Sequence, residues 1–106
     1  MKNKAVELFN AVPKIYNCAQ TIAAAAGRED MLEDMKLCGG GKAPEQLCGA
    51  LYAAMLVAGD DNALKLREDF SAALGAVTCS DLKNYEMVPC VRCVEKAAEL
   101  LEKYGK

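Results

Sequence analysis

The chain has 106 residues, of which 53% are hydrophobic, and its 13 basic and 15 acidic side chains nearly balance. A domain of this length can bury a core without disulfide or metal staples. The absence of a basic stripe and of tryptophan argues against a nucleic acid partner. The most apolar uncharged stretch, 47–59, is too short to cross a bilayer. We therefore expect one soluble domain over residues 1–106 that is not embedded in a membrane.

Glycine and proline divide the chain into short segments with helical spacing of apolar residues and almost no alternating β-branched pattern. We expect five or six short helices packed as a small all-α bundle, without internal repeats or a linker. Seven segments are candidates for these helices: in chain order 7–12, 17–26, 28–36, 44–58, 63–74, one that Thr78 opens and one that Pro89 opens.

Cap signals locate several of these helix starts. Asn17 and Gln20 stand three residues apart, as in a capping box, so Cys18 falls in a first turn. If one helix instead runs straight through from Pro13, Cys18 lies in the middle of it. Thr78 opens a second pattern of the capping-box type.

Three segments carry an apolar face at helical spacing. Pro44 fits the first position of the most apolar helix, which places Cys48 inside that helix. Its stripe is Leu47, Cys48, Leu51, Met55 and Ala58. Asp60 or Asp61 caps the next helix. Its expected core face is Leu64, Leu66, Phe70 and Leu74. The expected core face of the last helix is Val91, Val94, Ala97, Ala98 and Leu101.

The chain contains six cysteines and no histidine. Without imidazole it cannot form a histidine-based zinc site, a His-assisted nucleophile or a Cys-x-x-Cys-His haem attachment. Glu7 and Asn10 interrupt the start before an apolar run develops, so we predict no signal peptide and expect a reducing, cytoplasmic location. There, clustered cysteines more often bind metals or do redox chemistry than form structural bridges. Packing as small buried hydrophobes is the alternative.

Three cysteines fall at predicted helix starts. Cys79 follows its cap, Cys90 directly follows a helix-opening proline, and Cys18 takes an equivalent place. Exposed backbone N–H groups and the positive end of the helix dipole are expected to favour the thiolate at such positions. Thiolate is both the metal ligand and the redox nucleophile. Because Cys93 lies one turn after Cys90, it should face the same region.

Several motifs of this chain occur in the order of a known family. They are Tyr16-Asn17-Cys18-Ala19-Gln20, the triple glycine 39–41, Cys48-Gly49-Ala50-Leu51-Tyr52-Ala53, Thr78-Cys79-Ser80-Asp81-Leu82, and Cys90 leading into 94–101. Over roughly residues 9–102 the chain resembles the redox-active family named for its signature C_GCAxxG_C_C. Ala53 departs from that pattern, since the central motif of the family ends in glycine there. Alanine adds only a methyl group.

The resemblance implies a redox-active protein, with related domains in some cytochromes associated with an iron–sulfur centre. No catalytic reaction comes with it, so no enzyme activity is assigned. The implied signature cysteines are Cys18, Cys48, Cys79 and Cys90. Cys38 and Cys93 are extra thiols of this member, and each is an alternate ligand or a resolving thiol.

On this basis we expect the four signature cysteines to converge at helix ends and hold an iron–sulfur cluster for electron transfer or redox sensing. The loop of Gly39, Gly40 and Gly41 should lie close by, where missing side chains let N–H groups approach sulfide. Two alternatives stay open: metal-free thiol–disulfide exchange and a structural zinc site of four thiolates. The expected partner is another redox protein, and a homodimer also stays open.

Overall fold

The computed structural model of the protein describes residues 2–10, 16–38 and 44–104, and the structural statements below concern these residues. They form helices and turns with no strand, which confirms the expected small all-α bundle. The α-helices are α1 Lys2–Phe9, α2 Cys18–Ala25, α3 Leu32–Met35, α4 Gly49–Ala58, α5 Asp60–Leu74, α6 Cys79–Asn84 and α7 Cys90–Lys103. Short 3₁₀ turns span Glu29–Met31, Lys36–Cys38 and Pro44–Gln46.

Helix α4 lies at the centre of the bundle and packs against α2, α5 and α7. Its buried residues are Gly49, Ala50, Leu51, Ala53, Ala54, Val57 and Ala58. Because most of these side chains are short, the neighbouring helices can approach its backbone closely. Ala53 is fully buried in this contact surface.

Helix α7 packs against α1, α4, α5 and α2. Its buried face is Cys93, Val94, Ala97, Ala98, Leu100 and Leu101, so the predicted face is largely confirmed, while Val91 is only half-buried. Helix α1 spans 2–9 rather than the predicted 7–12, because the buried Ala5 and a hydrogen bond from Lys2 N–H to Glu102 Oε1 (2.9 Å) hold it against α7. The predicted end of this helix near Pro13 lies outside the described residues.

The capping box at the start of α2 is confirmed. Gln20 N–H donates to Asn17 Oδ1 at 2.7 Å, and Asn17 N–H donates to Gln20 Oε1 at 3.1 Å. Asn17 Nδ2 also donates to the carbonyl oxygens of Met35 and Lys36, which ties α2 to the end of α3. Since Asn17 has extended backbone angles, α2 begins at Cys18, and the alternative of one helix running through from Pro13 is wrong.

The most apolar helix begins five residues later than predicted, at Gly49 rather than Pro44. Glu45 and Gln46 have φ angles of 59° and 60°, in the left-handed region, which ends the 3₁₀ turn before the helix starts. Leu47 then pairs with Thr78 in an isolated antiparallel bridge. As a result Cys48 is the N-cap of α4 and does not lie inside the helix.

Helix α5 also departs from its prediction at two places. Gly59, with φ 88°, is the N-cap, so Asp60 and Asp61 lie in the first turn, where carboxylates still interact favourably with the positive helix end. The buried face consists of Leu66, Phe70 and Leu74 at four-residue spacing. Leu64 lies off this face and is 67% exposed, so its assignment to the core was wrong.

The predicted segment 28–36 is split between the first two 3₁₀ turns and α3.

The capping role of Asn17 can be measured directly. Replacing Asn17 by alanine removes the cap and the contacts to the end of α3, so we expect Asn17→Ala to lower the free energy of unfolding of the reduced protein by about 2 kcal/mol. Urea denaturation followed by circular dichroism measures this. The matched control is Asn84→Ala, which removes one exposed hydrogen bond to Ser80 and should cost less than about 0.5 kcal/mol. Equal costs for the two variants would contradict the role given to Asn17.

Candidate functional site

Four helices begin at cysteines that line one pocket. Cys18, Cys79 and Cys90 are the first residues of α2, α6 and α7. Cys48 is the N-cap of α4. Including its open mouth, the pocket contains about 320 Å³ of space between atoms. The side chains that line it are those of Cys18, Cys48, Cys79, Leu82, Lys83, Val88, Cys90 and Cys93, and the backbone of Gly49 completes it.

Backbone hydrogen bonds bring these helix starts together. Cys48 N–H donates to the carbonyl oxygen of Val77 at 2.8 Å, next to the bridge between Leu47 and Thr78. This pairing places the start of α4 beside the start of α6. Val88 N–H donates to the carbonyl oxygen of Leu82 at 2.8 Å, which folds the segment before α7 back onto α6.

Gly49 permits a close approach of the Cys18 sulfur to helix α4. A Cβ atom at this position would lie 2.7 Å from Cys18 Sγ and 2.6 Å from the carbonyl oxygen of Cys38. The Cys18 sulfur therefore rests on the first turn of α4, where the Ala50 N–H interacts with it. The N–H groups of Leu51 and Ala50 interact in the same way with the Cys48 sulfur. Backbone N–H groups at the start of α4 thus interact with two sulfur atoms.

Burial opposes ionisation of these thiols. The pKa of Cys18 is raised to about 11, mainly by burial and also by the nearby Cys48 and Cys90, whereas the backbone donors act in the opposite direction. The pKa of Cys48 is raised by its hydrogen bond with Cys93 and by burial. Burial also raises the pKa of Cys79. The expectation that helix starts favour the thiolate is therefore wrong for Cys18 and Cys79, because removal from water outweighs the helix dipole.

Lys83 is the charged residue among the described residues that line the pocket. Its ammonium group interacts with the sulfur atoms of Cys90 and Cys79, by charge and by hydrogen bonding, and these groups raise the pKa of Lys83. Sequence reasoning missed this residue. Its spacing was a signal, since residues four apart on a helix share a face and Lys83 follows Cys79 by four.

The two extra cysteines occupy different surroundings. Cys93 lines the pocket, is 3% exposed and interacts with Cys48 by hydrogen bonding, which agrees with the expectation that it faces the region of Cys90. The Cys38 thiol donates instead to the carbonyl oxygen of Asp34 at 3.8 Å and does not line the pocket. The predicted loop of Gly39, Gly40 and Gly41 lies outside the described residues.

All six cysteines are free thiols. Within the part of the chain that the structure describes, no group of three or more cysteine or acidic side chains is arranged so that it could hold a metal ion. The role of the four signature cysteines as ligands therefore stays a prediction. The pocket nonetheless gathers five soft sulfur donors, which favour soft metals, iron–sulfur clusters and thiol exchange.

Comparison of the chain with models of protein families gives no match, and comparisons with curated proteins and with solved structures give none either. The resemblance to the C_GCAxxG_C_C family therefore stays a prediction from the motifs.

In the described residues, no helix has the length and apolar character needed to span a membrane.

The close contact at Gly49 predicts a specific energetic coupling. Gly49→Ala should lower the free energy of unfolding of the reduced protein by about 2 kcal/mol, because the added methyl group meets a sulfur atom and a carbonyl oxygen. In a Cys18→Ala background the same substitution should cost about 1 kcal/mol less, since one of the two clashes is gone. Urea denaturation of the four proteins of this cycle gives both values. An identical cost in the two backgrounds would show that the Cys18 sulfur does not contact Gly49.

Proposed function

We propose that this protein binds an iron–sulfur cluster through Cys18, Cys48, Cys79 and Cys90 and acts in electron transfer or redox sensing. The observation that carries the proposal is that these four thiols, which are distant in sequence, line a single pocket at the starts of four helices. Core-filling cysteines have no physical reason to gather in this way. A bound cluster would supply a one-electron redox couple.

The chemistry of the donors supports this cofactor. Thiolates are the usual protein ligands of iron–sulfur clusters, and hydrogen bonds to sulfur adjust cluster potentials. The N–H groups at the start of α4 are directed to the sulfur atoms of Cys18 and Cys48. Gly49 leaves the space in which the Cys18 sulfur lies. Because the free thiols are not arranged around a common centre, binding requires them to lose their protons and change rotamer.

The contact between Cys48 and Cys93 favours a second candidate function, thiol–disulfide exchange without a metal. In this reaction the two thiols lose two protons and two electrons and form one disulfide, while the disulfide of a partner is reduced to two thiols. Both thiols are buried, at 5% and 3% exposure, which limits access by a protein disulfide. A structural zinc site is the third candidate and uses the same sulfur donors without redox change.

A reducing, cytoplasmic location and a redox protein as partner are part of the proposal. Six free thiols remain reduced most readily where glutathione and thioredoxin systems operate. The open mouth of the pocket is the route by which a partner would approach the cluster.

The ligand set is tested by single serine substitutions. Anaerobic reconstitution of the wild-type protein with ferrous iron and sulfide should give visible absorption with iron and acid-labile sulfide in the protein. We expect Cys18→Ser, Cys48→Ser, Cys79→Ser and Cys90→Ser each to lose most of this iron, because a hydroxyl is a poor replacement for thiolate. Iron and sulfide assays per chain provide the measurement.

The matched control is Cys38→Ser, which changes a buried thiol that lies outside the pocket and should leave the iron content unchanged. Cys93→Ser should also retain the cluster. Zinc without labile sulfide in the wild-type protein would support the structural site instead. A reversible disulfide between Cys48 and Cys93 in a colourless protein, found by mass spectrometry, would support thiol exchange. Full iron content in Cys48→Ser would refute the proposed ligand set.

A further inference from the structure

Lys83 differs in chemistry from every other described residue that lines the pocket. Its neighbours there are cysteine, leucine, valine and glycine. The ammonium group interacts with the sulfur atoms of both Cys79 and Cys90. A positive charge is thus placed against two of the proposed ligands. The Cys18 and Cys48 sulfur atoms instead interact with backbone N–H groups of α4.

The position of this charge follows from the backbone. Lys83 follows Cys79 by one turn on α6, so both lie on the same face. The hydrogen bond from Val88 N–H to the Leu82 carbonyl oxygen then returns the chain to α6 and brings Cys90 to the same place. Two separate elements therefore hold their sulfur atoms next to a single lysine.

We infer that Lys83 is a positioning residue for the Cys79 and Cys90 sulfur atoms and raises the reduction potential of the cluster that the pocket binds. This inference rests on the proposed function. One-electron reduction adds one negative charge to a cluster, and the electron comes from a redox partner protein without any bond being formed. An ammonium group beside two ligand sulfurs stabilises the reduced form, since net charge and hydrogen bonds to sulfur set cluster potentials.

The first arm of the test measures the midpoint potential of the anaerobically reconstituted protein by titration with dithionite. Lys83→Met should shift the equilibrium toward the oxidised form by about tenfold, which is about 59 mV more negative for one electron. Lys83→Arg retains the charge and should restore a potential close to that of the wild type. The control is Lys65→Met, which removes an exposed lysine of α5 outside the pocket and should leave the potential unchanged.

The second arm uses the metal-free, reduced protein and does not depend on a cluster. Alkylation by iodoacetamide at pH 8, followed residue by residue with mass spectrometry, should slow about threefold at Cys79 and Cys90 in Lys83→Met. Cys38 serves as the internal reference and should react at the wild-type rate. Lys83→Arg should restore the rates at the two pocket thiols.

The two arms separate the possible failures. A wild-type protein that takes up no iron and sulfide refutes the proposed function and with it the effect on potential. The alkylation rates then still decide whether Lys83 acts on the two sulfur atoms. A reconstituted Lys83→Met protein with the wild-type potential overturns the inference even though the cluster binds. Equal alkylation of Cys79 and Cys90 in wild type and Lys83→Met also overturns it.

Discussion

The pocket depends on the backbone pairing between Leu47 and Thr78. The bridge between them, with the hydrogen bond from Cys48 N–H to the Val77 carbonyl oxygen, joins two segments that are thirty residues apart. Each segment leads directly into a helix, so the pairing places the start of α4 beside the start of α6. Because side chains alternate along extended backbone, a shift of one residue in this pairing would turn Cys48 away from the pocket. The pairing register therefore sets which sulfur atoms meet.

Burial and nearby positive charge have opposite effects on the pKa values of the thiols in this pocket. Gathering thiols among apolar side chains raises the pKa of Cys18, Cys48 and Cys79, because a thiolate there loses water and meets other sulfur groups. The N–H donors of α4 and the ammonium group of Lys83 offset part of that cost. A bound metal centre would supply much more positive charge, so cofactor binding and loss of the thiol protons are coupled. The raised pKa values therefore favour the protonated thiols of Cys18, Cys48 and Cys79 in the free protein.

Local signals predicted much of the fold. The caps at Asn17 and Thr78 and the end of the segment 63–74 could be predicted, because short-range hydrogen bonds and the left-handed Gly75 determine them. The start of α4 could not be predicted from the apolar stripe. The left-handed backbone angles of Glu45 and Gln46 and the long-range bridge between Leu47 and Thr78 determine where this helix begins. This error placed Cys48 inside a helix, when it occupies a helix start like the other three signature cysteines.

The cysteines of the candidate site could be predicted from the sequence, but the effect of burial and charge on their pKa values could not. Motif order selected four of the five cysteines that line the pocket, and helical spacing placed the fifth, Cys93, near Cys90. The spacing rules give no measure of burial, so the raised pKa of Cys18 was not predicted, and Lys83 was missed. Cys38 also borders the glycine loop in sequence, yet its thiol turns toward Asp34.

The proposed cofactor centre requires four helix starts to converge so that four sulfur atoms hold it. The most direct measurement is a crystal structure of the anaerobically reconstituted protein with anomalous data collected at the iron edge. We expect iron in the pocket, bonded to the sulfur atoms of Cys18, Cys48, Cys79 and Cys90, while the Cys38 thiol keeps its hydrogen bond to the Asp34 carbonyl oxygen. Iron held by other residues, or a Cys48–Cys93 disulfide in a pocket that has taken up no iron, would contradict it.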